Sequence, residues 1–297
     1  MKQSQPRSLN QVFQRLLFVR LMLPLLLLGL LTTVVMGYTL GRQLENQQLG
    51  QARSLNHTVD AYLENADRVL KAIARVTESS GTDELVRYMQ ATQQAYEYFD
   101  TLYCLDEAGR IVALAPVDLR YQGVDMSLQP YFQQAGEQTG ITISSPFISL
   151  RTGQPTVWVG RSLRDGGLVV GELNLGALQE AIVARLEQPG SETIFVTDRF
   201  GTLLAHPRSE LVAQQTNVGD LYIVQRGRIG EASMLYRIDT TLLLGSVVQM
   251  ERTGWIVVVQ TPFFVTYLPY FGLTGGFFLL VLLVVLALMN RLRRILD

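Results

Sequence analysis

A single cysteine, Cys104, rules out an intrachain disulfide, so packing alone must hold the fold together. It lies in an apolar stretch, where a small buried residue is favoured over a reactive thiol. Only two histidines, His57 and His206, are present, far apart and without a cysteine pair, which leaves zinc and haem without a ligand set. No Gly-x-Ser-x-Gly elbow, Gly-Lys-Ser/Thr phosphate loop or His-Glu-x-x-His helix occurs. No catalytic residue, metal or cofactor is therefore expected. A net charge of −1 gives no footing for strongly basic nucleic-acid binding.

Charge is also missing in two long runs. Leu21–Tyr38 is 18 residues without a charge, about 27 Å of helix, close to one hydrocarbon thickness. Thr253–Asn290 is charge-free as well. It is too long for one span and is divided by Pro262 and Pro269. We expect transmembrane helices over 16–38 and 267–289, with a soluble strand at Trp255–Gln260. No small-x-small cleavage site follows the first run, so it reads as an uncleaved anchor rather than a signal peptide. Seven of the 25 basic residues flank the two runs on their outer sides against one acid, Asp297, leaving the intervening segment near −7. By the positive-inside rule, tails 1–15 and 290–297 are cytoplasmic and residues 39–264 lie outside. That topology suits a bacterial inner membrane, with the domain periplasmic or extracellular.

Leaving the first run, apolar residues recur at spacings of three and four from Leu55 through Val59, Leu63, Ala66, Leu70 and Ile73, one buried stripe of a helix reaching Ser79. A second helix is expected from Asp83 to about Tyr98, with Leu85, Tyr88, Met89, Thr92, Tyr96 and Phe99 inward. Strands follow. Thr101–Leu105 and Arg110–Ala115 flank an acidic turn ending in Gly109, and Thr193–Thr197 and Thr202–His206 flank a matching turn ending in Gly201. Each hairpin continues through an irregular stretch into a second pair: Thr156–Leu163 with Leu168–Leu175, then Thr241–Gln249 with Trp255–Gln260. A helix from Leu178 to Leu186 joins the copies. The repeat points to an α+β fold of two tandem antiparallel-sheet modules on a long N-terminal helix, flanked by two transmembrane helices.

Several segments together resemble the double Cache domain, the extracytoplasmic sensor of many bacterial chemoreceptors, histidine kinases and cyclic-di-GMP enzymes. They are Leu105–Gly109, Gly123–Phe132, Ile143–Ser149 with Thr152–Pro155, and Val170–Leu175. The resemblance covers residues 39–264. It implies PAS-like modules, a distal one over about 80–186 and a proximal one over about 187–262, with a small organic ligand in the distal module and no chemistry on it. Relatives that bind amino acids hold the carboxylate with an Arg and aromatics and the amine with acids. Here Gln129 stands in place of that Arg, Tyr131 and Phe132 at the aromatic pair, Phe147 at a later Tyr, and Ser149 and Glu172 at the acidic places. The lost Arg argues against an α-amino acid held in the usual way.

Tyr131, Phe132, Phe147 and Trp158 suit either the walls of a ligand cup or ordinary core. Arg161 suits an anionic ligand, solvent or a pair with Glu172, while Glu172 suits a pocket acid or a structural ion pair. The expected function is a membrane-anchored sensor, in a homodimer, that acts on a separate cytoplasmic output protein. The alternatives are a protein-binding scaffold subunit without a small ligand, or the input segment of a longer kinase, cyclase or chemoreceptor.

Overall fold

The structure, a computed structural model, describes residues 20, 23–129, 132–133, 141–184 and 192–296. It divides into two units, Met1–Asn46 with Pro262–Asp297, and Gln47–Thr261. The apolar run and the stripe after it form one helix, α1 (Leu23–Ser79), which passes from the first unit into the second.

Within Gln47–Thr261, the stripe on α1 is a spine for both modules. Leu55, Val59, Leu63, Ala66, Leu70 and Ile73 are buried in one cluster that takes Leu102, Val159 and Val169 from the first module and Val196, Val257 and Val259 from the second. Helix α2 (Thr82–Ala95) starts with Asp83 and Glu84, whose negative charge suits a helix N-terminus. It is shorter than the sequence suggests. Leu85, Met89 and Thr92 are buried on it, and Phe99 is buried at the start of the next strand, while Tyr88 and Tyr96 are 37% and 51% exposed. The backbone turns extended at Tyr96, whose ring stacks on Tyr98.

The first module contains β1 (Phe99–Leu105), β2 (Ile111–Ala115), β3 (Ile141–Ile143), a short pair β4 (Phe147–Ile148) and β5 (Pro155–Thr156), β6 (Trp158–Ser162) and β7 (Leu168–Leu173). Its main sheet runs β2-β1-β7-β6-β3. The strand expected over Thr156–Leu163 is broken at Val157, whose carbonyl accepts from Leu173 N. Helix α3 (Leu175–Val183) follows, capped by the Asn174 side chain, which accepts from Ala177 N. The expected helix end at Leu186 and the module boundary at 187 lie outside the described residues.

The second module contains β8 (Thr193–Thr197), β9 (Leu203–Ala205), the short helices α4 (Ser209–Ala213) and α5 (Tyr222–Gly227), then β10 (Ala232–Ile238), β11 (Thr241–Gln249) and β12 (Ile256–Pro262). Its order, β10-β11-β12-β8-β9, is that of the first sheet with β8 for β1 and β12 for β7. The opening turns match in detail. Asp106 Oδ1 accepts from Ala108 N and Arg110 N, and Asp198 Oδ1 from Phe200 N and Thr202 N, at 2.8–3.0 Å. Gly109 and Gly201 have φ of 79° and 96°. A Cβ on either would meet the backbone of Ser127 or Gly219 within 3.0 Å, so conformation and space both demand glycine.

In the other unit, β12 gives way to α6 (Phe263–Leu296), which begins four residues before the expected Tyr267 and keeps Pro269 inside it. Its segment Phe263–Ala287 is the one helix among the described residues long and apolar enough to cross a membrane. The first apolar run extends into residues outside the described set. From Leu23 to Tyr38 its large apolar side chains are mostly exposed. Gly29, Gly37 and Gly41 on α1 lie against Phe277, Tyr270 and Tyr267 of α6, where an added Cβ would stand 3.1–3.2 Å from those side chains. Tyr270 Oη donates to the Thr33 carbonyl. Small residues that let two helices approach closely are the usual means of packing in lipid.

Candidate ligand-binding site

Strand alternation gives the first module two different faces. One side packs on α1. The other gathers Tyr103, Leu105, Ile111, Leu114, Trp158 and Val170 in a separate buried cluster, with Phe132 and Phe147 half-buried against it. Across the middle of this outer face Thr101, Glu172 and Trp158 stand side by side on β1, β7 and β6.

Glu172 is the chemical centre of the face. It is 5% exposed, and Tyr103 Oη donates to its Oε1 at 3.1 Å while Ser149 Oγ donates to its Oε2 at 2.8 Å. Burial pushes its carboxyl above the ordinary value, against hydrogen bonds from Ser149, Tyr103 and Thr101 that favour the ionised form; the Asp100 charge adds to the rise. Among the described residues no basic side chain forms a salt bridge with it; the Arg151 guanidinium reaches only Thr101, one hydroxyl away. The Ser149 hydroxyl is itself fixed by Arg151 N and Thr152 N, each donating at 3.2 Å. Arg151 Nη1 donates to Thr101 Oγ1 at 3.3 Å. A buried carboxylate held by hydroxyls, with no direct ion pair, is costly to keep, and it is a ready partner for a cationic or donor-rich ligand group.

The structure thus brings together Phe132, Phe147, Ser149, Trp158 and Glu172. Gln129 is half-buried in the adjoining turn, where its carbonyl accepts from Phe132 N at 3.0 Å, and Tyr131 lies outside the described residues. Arg161 is placed elsewhere. Three residues after Trp158 on β6 it falls on the α1 face, where its guanidinium contacts Asp67 Oδ1 at 2.6 and 3.1 Å. It pairs with neither Glu172 nor the outer face. Sequence reasoning missed Thr101, Tyr103 and Arg151. The parity of β1 could have exposed the first two, because Thr101 and Tyr103 are its alternating polar positions. Cys104, of opposite parity, is buried toward α1, and burial pushes its thiol up to about 11.

The second module treats the equivalent face differently. Phe195 takes the place of Tyr103 and Gln260 that of Glu172, by the matched registers of β1/β7 and β8/β12. Tyr236 Oη donates to Gln260 Oε1. Ile223 and Val224 of α5 cover the face and are fully buried among Phe195, Leu243, Val247 and Val258. A cleft of about 380 Å³ between α2 and β2, lined by Val86, Ala113, Val117 and Leu119, reaches Ile111 and Leu114 of the outer-face cluster but contains neither Glu172 nor the residues that bond to it.

The Cache domain family model matches residues 38–264. No curated protein matches the chain. Among solved structures, the ligand-binding domain of the Campylobacter jejuni chemoreceptor Tlp3, in complex with 4-methylisoleucine, is similar at 13% identity and a TM-score of 0.61, over 76% of this chain and 94% of that one. The extracellular domain of the putative histidine kinase rpHK1S-Z16 is similar at 18% and 0.66, over 74% and 95%. The ligand-binding domain of the Pseudomonas fluorescens chemoreceptor CtaA, in complex with L-serine, is similar at 18% and 0.62, over 74% and 98%. These likenesses show a shared fold.

Proposed function

The chain belongs to the Cache domain family, and on that premise we propose that it is a membrane-anchored sensor whose distal module, the first of the two, binds a small organic ligand carrying a protonated nitrogen. The observation that carries this reading is Glu172: a buried carboxylate, fixed by Tyr103 and Ser149, that forms no salt bridge among the described residues. Phe132, Phe147 and Trp158 supply apolar walls. Tlp3 and CtaA are seen with amino acids, which carry such a nitrogen. Gln129 in place of the carboxylate-binding Arg favours an amine whose recognition does not depend on a carboxylate. No step of bond-making is part of this role.

Helix α6 and the apolar start of α1 anchor the domain in a bacterial inner membrane, with both termini cytoplasmic and about 39–264 outside. Ligand on the outer face of the distal sheet alters how the opposite face grips α1, and the shift passes along α1 to the spans, in a homodimer, to an output protein. The coupling requires that the two states differ in ligand affinity. A protein-binding subunit is the second reading, favoured by exposed Leu119, Leu128 and Leu150.

A thermal-shift screen of the full chain in detergent against primary amines, polyamines and amino acids tests the proposal. A ligand at a hundred times its dissociation constant adds about 2.7 kcal/mol, and the shift should vanish in Glu172→Gln. Equal shifts in wild type and Glu172→Gln would refute the amine reading, and no shift from any amine would favour the protein-binding one.

A further inference from the structure

A second concavity lies between the two modules. It encloses about 340 Å³ and is lined on one side by Thr142 and Ser144 at β3, and on the other by Asp198, Arg199, Arg252 and Thr253 from two turns of the proximal module. None of these residues belongs to the Glu172 face.

Three features give the cleft a chemical identity. Three cations share one carboxylate at its edge. Asp67 of α1 accepts Arg161 at 2.6 Å and Lys71 at 2.9 Å, so that Arg252, at 3.6 Å, is a third cation on one carboxylate. Arg199 lies 4.7 Å over the Phe200 ring and pairs with no carboxylate among the described residues. Arginine forks of this kind suit a carboxylate better than a point-charge anion. The third feature is Asp198. Its Oδ1 closes the hairpin turn, but the residue is 2% exposed and its Oδ2 has no partner. The matching Asp106 of the distal module is half-exposed. The buried Asp198 oxygen calls for a donor.

We propose that the inter-module cleft is a second ligand site, distinct from the Glu172 face, for a small hydroxy- or aminocarboxylate. The carboxylate sits between Arg252 and Arg199, and the hydroxyl or ammonium donates to Asp198. Because Arg252 also reaches Asp67, an anion in the cleft competes with α1 for that guanidinium. Occupancy would loosen one of the ties between the proximal turn and the helix.

Calorimetric titration of the full chain in detergent with malate, succinate and inorganic phosphate tests this. Malate should bind saturably, and succinate, which lacks the hydroxyl, at least about fivefold more weakly. Arg199→Gln removes a solvent-facing guanidinium and leaves the fold intact; it should weaken malate about tenfold, as should Arg252→Gln. Malate affinity unchanged in both variants, or no saturation by about 10 mM, would overturn the proposal. So would phosphate binding as tightly as malate. Malate binding lost in Glu172→Gln but kept in Arg199→Gln would assign the anion to the distal pocket and also refute it.

Discussion

The two modules share a strand order, a turn and a helix, yet their outer faces differ in chemistry. In the distal module the row across β1, β7 and β6 is Thr101, Glu172 and Trp158, with Tyr103 and Ser149 holding the acid. In the proximal module Phe195 and Gln260 stand where Tyr103 and Glu172 do, and Ile223 and Val224 close the face with apolar contacts. A few side chains separate a charged, loop-bordered face from a filled core. The fold and the chemistry of the outer face are therefore set by different residues: the inward stripe is common to both modules, and the outward row distinguishes them.

The largest effect should come from the part the modules share. Leu63 is fully buried in the common cluster, and Leu63→Ala should cost about 2–5 kcal/mol. Chemical denaturation followed by hydrogen exchange should show both sheets losing protection together. Protection lost in one sheet alone would mean that α1 is not a common spine.

Glu172→Gln makes the distal face resemble the proximal one. Amine affinity should fall at least about a hundredfold, near 2.7 kcal/mol. Stability should change in the opposite direction. The folded carboxyl has its pKa raised, so the native state binds more protons than the unfolded chain between the ordinary carboxylate value and the raised one. This group's contribution is fully favourable below that window and is lost as pH rises through it. Free wild type should therefore lose stability relative to Glu172→Gln as pH rises from acid toward neutral, seen in paired denaturation curves.

The reverse exchange, Gln260→Glu, places an acid where Tyr236 can donate but no pocket has been prepared. It should destabilise the chain by about 1–2 kcal/mol at neutral pH, less in acid, and create no amine binding. Tyr103→Phe removes one hydrogen bond to Glu172 and copies the proximal Phe195. Its cost in amine affinity should be the smallest, about five- to tenfold by titration.

Much of this architecture is legible in the sequence because it rests on strong local signals. The Asp106–Gly109 and Asp198–Gly201 turns need a side-chain acceptor and a positive φ, and few residues supply either. The α1 stripe shows in its three- and four-residue spacing. β10 was not legible, since as an edge strand it is mostly half-buried or exposed and carries little apolar alternation. β3 has only three residues. At the site, Ser149 and Glu172 were legible as a pair through the family resemblance, and the structure joins them. Arg161 was left open between an anionic ligand, solvent and Glu172, because its strand position did not reveal which face it takes; parity turns it to Asp67 on a helix 94 residues away. β1 parity marks Thr101 and Tyr103 as one polar face, but that this face meets Glu172, and that Arg151 borders it, depends on β1 lying beside β7.

The central claim, ligand on the Glu172 face of the distal module, is tested most directly by hydrogen exchange of the full chain in lipid nanodiscs, with and without the amine that gives the largest thermal shift. The account predicts new protection at β1, β7 and residues 149–154, with α5 and β10–β11 unchanged. Protection confined to the proximal sheet, or no change at Ser149 and Glu172 under saturating amine, would contradict it.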